Sequence, residues 1–274
     1  MLSDFQFCPR YYFYRHVLGY RPKEDKSYFL WGTTIHKFYE EAEKKLAEGS
    51  TVEVAGMLAI QAAMMEWVGK KDPNPEDKKW AFQTRSRMSD VLVAIAKEWL
   101  KEKAAKTIHV LFSEIPYNLQ LDNGQWICGR IDQGIQVGNR LYVRDFKTTT
   151  KKWQWYRNSL NPADQFVGYT YALSTLSSRQ IDGAYVDVIY TTKDEGPKFY
   201  REIIPISPAT ISRWKQDWEY WAEVMELARR TDNYVQNTRN CQFCSFIDVC
   251  RTNPQSEEFM LKSKFVFDPW DPSE

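Results

Sequence analysis

From Trp31 to Leu46 the apolar side chains Trp31, Ile35, Phe38, Tyr39, Ala42 and Leu46 recur at three- and four-residue steps. That is the period of a helix burying one face, and Gly49 stands just beyond its end. Further helices are predicted over about Val52–Val68 and Met88–Ala105, with the polar, proline-broken run Lys70–Lys79 as a loop between them. The period then changes. His109–Leu121, Gln125–Val137 and Arg140–Lys147 are rich in β-branched and aromatic residues and are separated by Asp122-Asn123-Gly124 and Gly138-Asn139, which predicts three consecutive antiparallel strands. A helix over about Pro162–Leu176, strands over Gly183–Thr191 and Phe199–Ile206, and a long helix over Pro208–Arg230 carrying Trp214, Trp218 and Trp221 complete the pattern. This order predicts an α/β or α+β fold with one central sheet and a helical insertion near the N-terminus. The tail Lys262–Glu274 is expected to be loosely held.

The Gly138-Asn139 turn carries the most chemistry. As a two-residue hairpin loop it sets Asp132 directly opposite Asp145, their side-chain origins roughly 5 Å apart, with Lys147 on the same face. Opposed carboxylates destabilise a sheet unless a cation sits between them, and an oxygen-rich pair of this kind suits Mg²⁺ or Mn²⁺. A metal there would polarise a phosphoryl oxygen while Lys147 orients water or stabilises developing charge, so the chemistry inferred is phosphodiester hydrolysis. Glu114 depends on the preceding turn. A three-residue loop, Asp122–Gly124, sets it opposite Asp132 on the same face, whereas a two-residue Asn-Gly loop pairs it with Gln133.

Composition narrows the partners. With 37 Lys+Arg against 36 Asp+Glu in 274 residues the net charge is +1, which excludes the whole-surface basic footprint of a non-specific nucleic-acid binder. Aromatics make up 15% of the chain. Tyr11, Tyr12, Phe13, Tyr14 and Tyr20 interleave with Arg10, Arg15, His16 and Arg21, a mixture that either stacks bases and grips phosphates of a single strand or packs around the nearby cysteines. No apolar run reaches the ~18 residues of a membrane span, and the opening residues lack the regions of a signal peptide. The expectation is a soluble, cytoplasmic protein without a membrane partner. No G-x-x-x-x-G-K-S/T run occurs, so any unwinding of DNA falls to a partner.

Five cysteines are few for a disulfide scaffold. Cys241, Cys244 and Cys250 have thiolate spacing for a soft metal, and on spacing alone zinc is favoured. Cys8 is the candidate fourth ligand, because Cys128 alternates within a strand and is expected in the core. Ligands from both ends of the chain would clamp the termini together.

Asp132 followed by Asp145-Phe146-Lys147 resembles the core of the PD-(D/E)XK nucleases, with Asp145 where Glu is commoner. Gln165-Phe166-Val167-Gly168-Tyr169 matches the Q-x-x-x-Y motif of the RecB-like branch, and Gly32-Thr33-Thr34-Ile35-His36 is similar to its helix histidine. With the four cysteines, the set resembles the CRISPR-associated adaptation exonucleases and the nuclease domains of AddB-type helicase partners, across Cys8 to Cys250. The resemblance implies a restriction-endonuclease-like core, a mixed sheet flanked by helices, in a single domain over 1–274. Within it would lie a helical insertion at about 31–105, a catalytic core at about 106–231 and a cysteine segment at 240–250.

It further implies a metal held by His36, Asp132, Asp145 and the Phe146 carbonyl, a catalytic Lys147, and Gln165 and Tyr169 contacting substrate. Spacing alone would leave His36 a structural helix residue and Gln165 and Tyr169 packing residues one turn apart. The cysteines are implied to hold a 4Fe-4S cluster in preference to zinc. The implied function is a metal-dependent DNA exonuclease preferring single-stranded ends, working beside a helicase or DNA-integration partner. The alternatives are a structure-specific endonuclease of the same fold and a catalytically silent DNA-binding or assembly module.

Overall fold

The computed structural model of the chain describes residues 2–23, 27–76, 80–161 and 163–269, with only the backbone at 27–29. In chain order the elements are helices α1 (Leu2–Phe7) and α2 (Pro9–Tyr12), a π-helical turn Phe13–Val17, strand β1 (Tyr20–Pro22), and helices α3 (Ser27–Ala47), α4 (Val52–Met65) and α5 (Arg85–Ala105). There follow β2 (Ile108–Gln120), β3 (Trp126–Val137), β4 (Arg140–Thr149), α6 (Trp153–Arg157), α7 (Asp164–Ser177), β5 (Gly183–Tyr190), β6 (Lys198–Pro205) and α8 (Pro208–Thr231). A 3₁₀ turn Thr238–Phe243, α9 (Ile247–Arg251), α10 (Glu257–Lys264) and β7 (Phe265–Phe267) close the chain. Every predicted helix and strand is present. Pro162, the expected start of α7, and Asp77–Lys79 of the expected loop lie outside the described residues. Among the described residues no helix is long and apolar enough to cross a membrane.

The chain divides into two compact units, Met1–Asp25 with Leu121–Gln125 and Lys215–Glu274, and Lys26–Gln120 with Trp126–Trp214. The second holds a five-stranded mixed sheet in the order β2-β3-β4-β5-β6, antiparallel except for the parallel β4–β5 pair. Helices α3, α4 and α5 bury Trp31, Phe38, Trp67, Leu92 and Trp99 in one core with Phe146 and Ile189 of the sheet. Helix α7 contacts β3, β4 and β5. In β2–β3, Phe112 and Tyr117 stand opposite Gly134 and Gly129, and a Cβ on Gly134 would come within 1.9 Å of the Phe112 ring. The two glycines therefore make room for aromatic rings lying across the strand pair.

The other unit pairs β1 with β7, so the two ends of the chain are joined by strands. Of the tail expected to be loose, Lys262 to Phe267 lies in α10 and β7, with Gly19 O accepting from the Asp268 N–H at 2.7 Å, and residues 270–274 lie outside the described residues. Its aromatic opening is spent on packing: Tyr11 and Tyr14 meet Phe246, Phe13 and Tyr12 stack on Tyr234, and Tyr14 is fully buried.

One ionic network stands out inside the sheet unit. Arg144 on β4, only 2% exposed, donates to both Glu102 carboxylate oxygens at 2.8 and 2.7 Å and to Asp187 Oδ2 at 2.6 Å; Arg201 donates to Asp187 Oδ1 at 2.7 Å and Glu102 Oε2 at 3.0 Å. Both carboxylates are nearly buried, so they depend on the two guanidinium groups for their charge balance. Removing one partner of such a group strands the other charges. Arg144→Met should destabilise the chain by about 3–5 kcal/mol in urea unfolding. Arg201→Met, whose side chain is far more exposed, should cost less than half of that. Equal midpoints for Arg144→Met and the parent would contradict this assignment.

Candidate active site

The register of β3 and β4 follows from the Gly138-Asn139 turn. Gly138 has φ +57° while Asn139 keeps negative φ, as in a two-residue loop with glycine first. Pairs run from Val137↔Arg140 to Gln133↔Arg144 and then stop. The next pair in register is Asp132 and Asp145. Here the ladder gives way to a side chain: Asp132 Oδ2 accepts from the Phe146 N–H at 3.1 Å. From this point β4 keeps its parallel pairing with β5 through Thr149↔Tyr190. The two carboxylates thus sit where β3 and β4 part.

Cationic and polar groups converge on them. His36 Nδ1 of α3 lies 3.1 Å from Asp132 Oδ2. Lys147 Nζ forms an ion pair at 2.7 Å with Oδ2 of the completely buried Asp145. Gln165 Nε2 donates to Asp145 Oδ1 at 3.3 Å and to Tyr169 Oη at 2.9 Å, and Tyr117 packs edge-on to Tyr169. Phe146, whose ring stacks on Tyr39 of α3 at 3.6 Å between centroids, fixes the helix carrying His36 against the strand carrying Asp145. The sequence-predicted set His36, Asp132, Asp145, Phe146, Lys147, Gln165 and Tyr169 is therefore brought together.

Glu114 joins them. The loop Asp122–Gly124 has three residues with Gly124 at φ +84°, and Leu119↔Ile127 and Ile115↔Ile131 put Glu114 opposite Asp132. Glu114 itself has φ +52°, a left-handed kink inside a strand of a kind that gathers at functional sites and re-aims a side chain. Spacing could also have found Glu40, one helical turn beyond His36, whose charge reaches Glu114.

The electrostatics are those of a crowded acidic site. Complete burial, with the Asp132 charge adding to it and Lys147 and His36 opposing, pushes Asp145 up to about 6. Glu114 is pushed up to about 7 by burial and by the charges of Asp132 and Glu40. Burial disfavours the His36 imidazolium, but Asp132 and then Asp145 outweigh it and raise its pKa. Burial together with the two aspartates also raises the Tyr169 phenol.

Among the described residues no three or more His, Cys, Asp or Glu side chains are already gathered as a metal-holding group. The chemistry of the donors nonetheless fits a hard divalent cation, with two carboxylates facing each other, one of them completely buried, and an imidazole alongside. Arg144 and Asp145 alternate to opposite faces of β4. A cavity of about 360 Å³, lined by Trp99, Glu102, Arg144, Asp187, Tyr200 and Arg201, belongs to the Arg144 face and not to the carboxylate pair.

In the other unit Cys8, buried ahead of α2, accepts from the Asn237 N–H at 3.3 Å, and Asn237 and Asn240 both donate to Phe7 O. Burial raises Cys244, with the nearby Cys250, Cys8 and Cys241 adding to it; Cys250 is raised by burial and by Cys8. The four thiols share one neighbourhood and are free. Cys128 departs from expectation. It is exposed, because the alternation of β3 turns Ile127 inward and Cys128 out.

Raised carboxyl pKa values carry a definite sign. Asp145 and Glu114 bind their protons more tightly folded than unfolded, so their contribution is complete only below about pH 4 and is lost as pH rises through about 6 and 7. In EDTA the Tm should fall between pH 5 and 8, and Asp145→Asn should remove roughly 3–6 °C of that fall, the equivalent of about 1.4 kcal/mol. Identical pH profiles for Asp145→Asn and the parent would contradict the buried carboxylate.

A sequence model of the PD-(D/E)XK nuclease superfamily matches residues 1–251. No curated protein matches the chain. Among solved structures, the chain is similar to a "Putative exonuclease" from Eubacterium rectale, at 9% identity and TM-score 0.51 over 85% of this chain and 77% of that one. A second structure, SSO0001, is 17% identical over 92% of this chain and 96% of its own, with TM-score 0.32. At 9% identity the first likeness speaks for the fold alone. With a mixed central sheet, the Asp132 and Asp145-Phe146-Lys147 constellation assembled on it, and a family match across 1–251, the chain belongs to the PD-(D/E)XK nuclease superfamily.

Proposed function

We propose that this nuclease is a divalent-metal-dependent DNA exonuclease acting on single-stranded ends. The observation that carries the reading is the opposition of Asp132 and Asp145 where the sheet parts, with the Asp145 carboxylate completely buried. Mg²⁺ or Mn²⁺ held by Asp132, Asp145, His36 and the Phe146 carbonyl would polarise a phosphoryl oxygen and lower the pKa of bound water. The chain's own groups do the rest. Lys147, beside Asp145, stabilises the charge that develops on the phosphate. Gln165, bonded at once to Asp145 and Tyr169, orients the buried carboxylate and holds the phenol toward the site. Glu114, pushed up to about 7, is placed to exchange a proton at neutral pH.

Single-strand and end preference are supported by two facts. Helix α3 brings His36 onto Asp132, so the α3–α5 layer lies beside the carboxylates. A +1 net charge suits a few phosphate contacts better than a duplex-wide clamp. Asp145→Ala should abolish cleavage of end-labelled single strands, and Lys147→Ala should slow it by at least ~10² while DNA is still bound. A linear strand should be digested while the same sequence circularised resists. Rapid cutting of the circle would overturn the end requirement and favour a structure-specific endonuclease, and a fully active Asp145→Ala would overturn the site.

We also infer that Cys8, Cys241, Cys244 and Cys250 hold a structural 4Fe-4S cluster, a reading supported by their shared neighbourhood within one unit. Anaerobically purified protein should then be brown, with about four irons per chain and broad absorption near ~400 nm. Cys8→Ala should lose metal and stability together, and stoichiometric zinc without iron would refute the cluster.

A further inference from the structure

Directly after the catalytic strand comes Lys151-Lys152-Trp153-Gln154-Trp155-Tyr156-Arg157, a basic and aromatic stretch whose last five residues form α6. Two of its side chains are anchored and a third is half-buried. The Trp153 ring stacks on Tyr200 of β6 at 4.8 Å with the planes 2° apart. Arg157 makes two parallel hydrogen bonds to Glu202, at 2.8 and 2.9 Å. Tyr156 is half-buried, and its phenol is raised by burial and by the charge of Asp145.

The remaining side chains have no such role. Trp155 is 74% exposed, more than any other large apolar side chain among the described residues. Lys151 and Lys152 are exposed, and among the described residues neither has a salt-bridge partner. Leaving a tryptophan in water is unfavourable, and a short helix anchored through Trp153 and Arg157 holds Trp155 there. A fixed, solvent-facing indole flanked by unpaired lysines matches the chemistry of a single-stranded nucleic acid, whose bases stack on aromatic faces while its phosphates take the cations.

We propose that Lys151–Arg157 is a stacking platform for single-stranded DNA, Trp155 receiving a base and Lys151 and Lys152 the neighbouring phosphates, so that the strand is led past Tyr156 to Asp145. The platform deepens the nuclease reading and rests on it for its place in the reaction. It also moves the aromatic and basic grip on DNA from the chain's opening, where the rings are used in packing, to the mouth of the site.

The test is fluorescence anisotropy of a labelled oligothymidylate in EDTA, which reads binding without cleavage. Trp155→Ala should weaken binding roughly tenfold, and Trp155→Phe, which keeps a stacking face, should stay within about threefold of the parent. The double variant Lys151→Ala/Lys152→Ala should reduce the slope of log affinity against log salt by about 1.4, the loss of two single-strand phosphate contacts. Unchanged affinity in Trp155→Ala together with an unchanged salt slope in the lysine variant would overturn the platform. The same preparations are then assayed for hydrolysis with Mn²⁺. Hydrolysis with Trp155-independent binding refutes the platform and leaves the nuclease reading intact. Trp155-dependent binding without hydrolysis refutes the nuclease reading and leaves the platform, and absence of binding by the parent protein refutes both.

Discussion

Two like charges face each other at Asp132 and Asp145, and the sheet is arranged around relieving them. Directly opposed carboxylates are destabilising in an antiparallel pair. The β3–β4 ladder ends one residue earlier, at Gln133↔Arg144, and the Asp132 carboxylate takes the Phe146 N–H that a backbone carbonyl would otherwise have taken. His36, Lys147 and Gln165 then supply a hydrogen bond or a positive charge from three different elements. Two opposed carboxylates, one of them completely buried, are a donor pair whose chemistry suits a hard divalent cation.

The same strand carries a second ionic problem on its other face. Alternation turns Arg144 away from Asp145, into a network with Glu102 and Asp187, and puts its guanidinium 4.8 Å from the centre of the Phe146 ring. Glu102 belongs to α5 and Asp187 to β5, so one buried cation ties the helical layer to two strands. Phe146 in turn stacks on Tyr39, which shares α3 with His36. Asp145 is thus held between neighbours that are both locked by packing, and a site chain positioned this way is preorganised for chemistry.

Much of this could be read from residue order. The Gly138-Asn139 turn dictates register, and register alone brings Asp132 and Asp145 together; Gln165 and Tyr169 follow from helical spacing. Glu114 stayed ambiguous because its place depended on whether the loop at Asp122 closes with two residues or three, a difference of conformation at Gly124 that no local pattern decides. The Arg144 network was hidden because its partners are contributed by elements more than 40 positions away in sequence. The π-helical turn at Phe13–Val17 and the β1–β7 pair leave no periodic signal, being too short for one. Cys128 points outward against the expectation of a core position because the phase of its strand is set by Ile127 and Ile131, which are buried.

The carboxylate pair as a cation site is tested most directly by metal binding itself, free of DNA and of turnover. Titration of the protein with Mn²⁺, followed by electron paramagnetic resonance at neutral pH, should show saturable binding that Asp145→Asn and Asp132→Asn each weaken by at least tenfold and that His36→Ala weakens less. Saturable Mn²⁺ binding of equal strength in the parent and in both aspartate variants, or none in the parent, would contradict it.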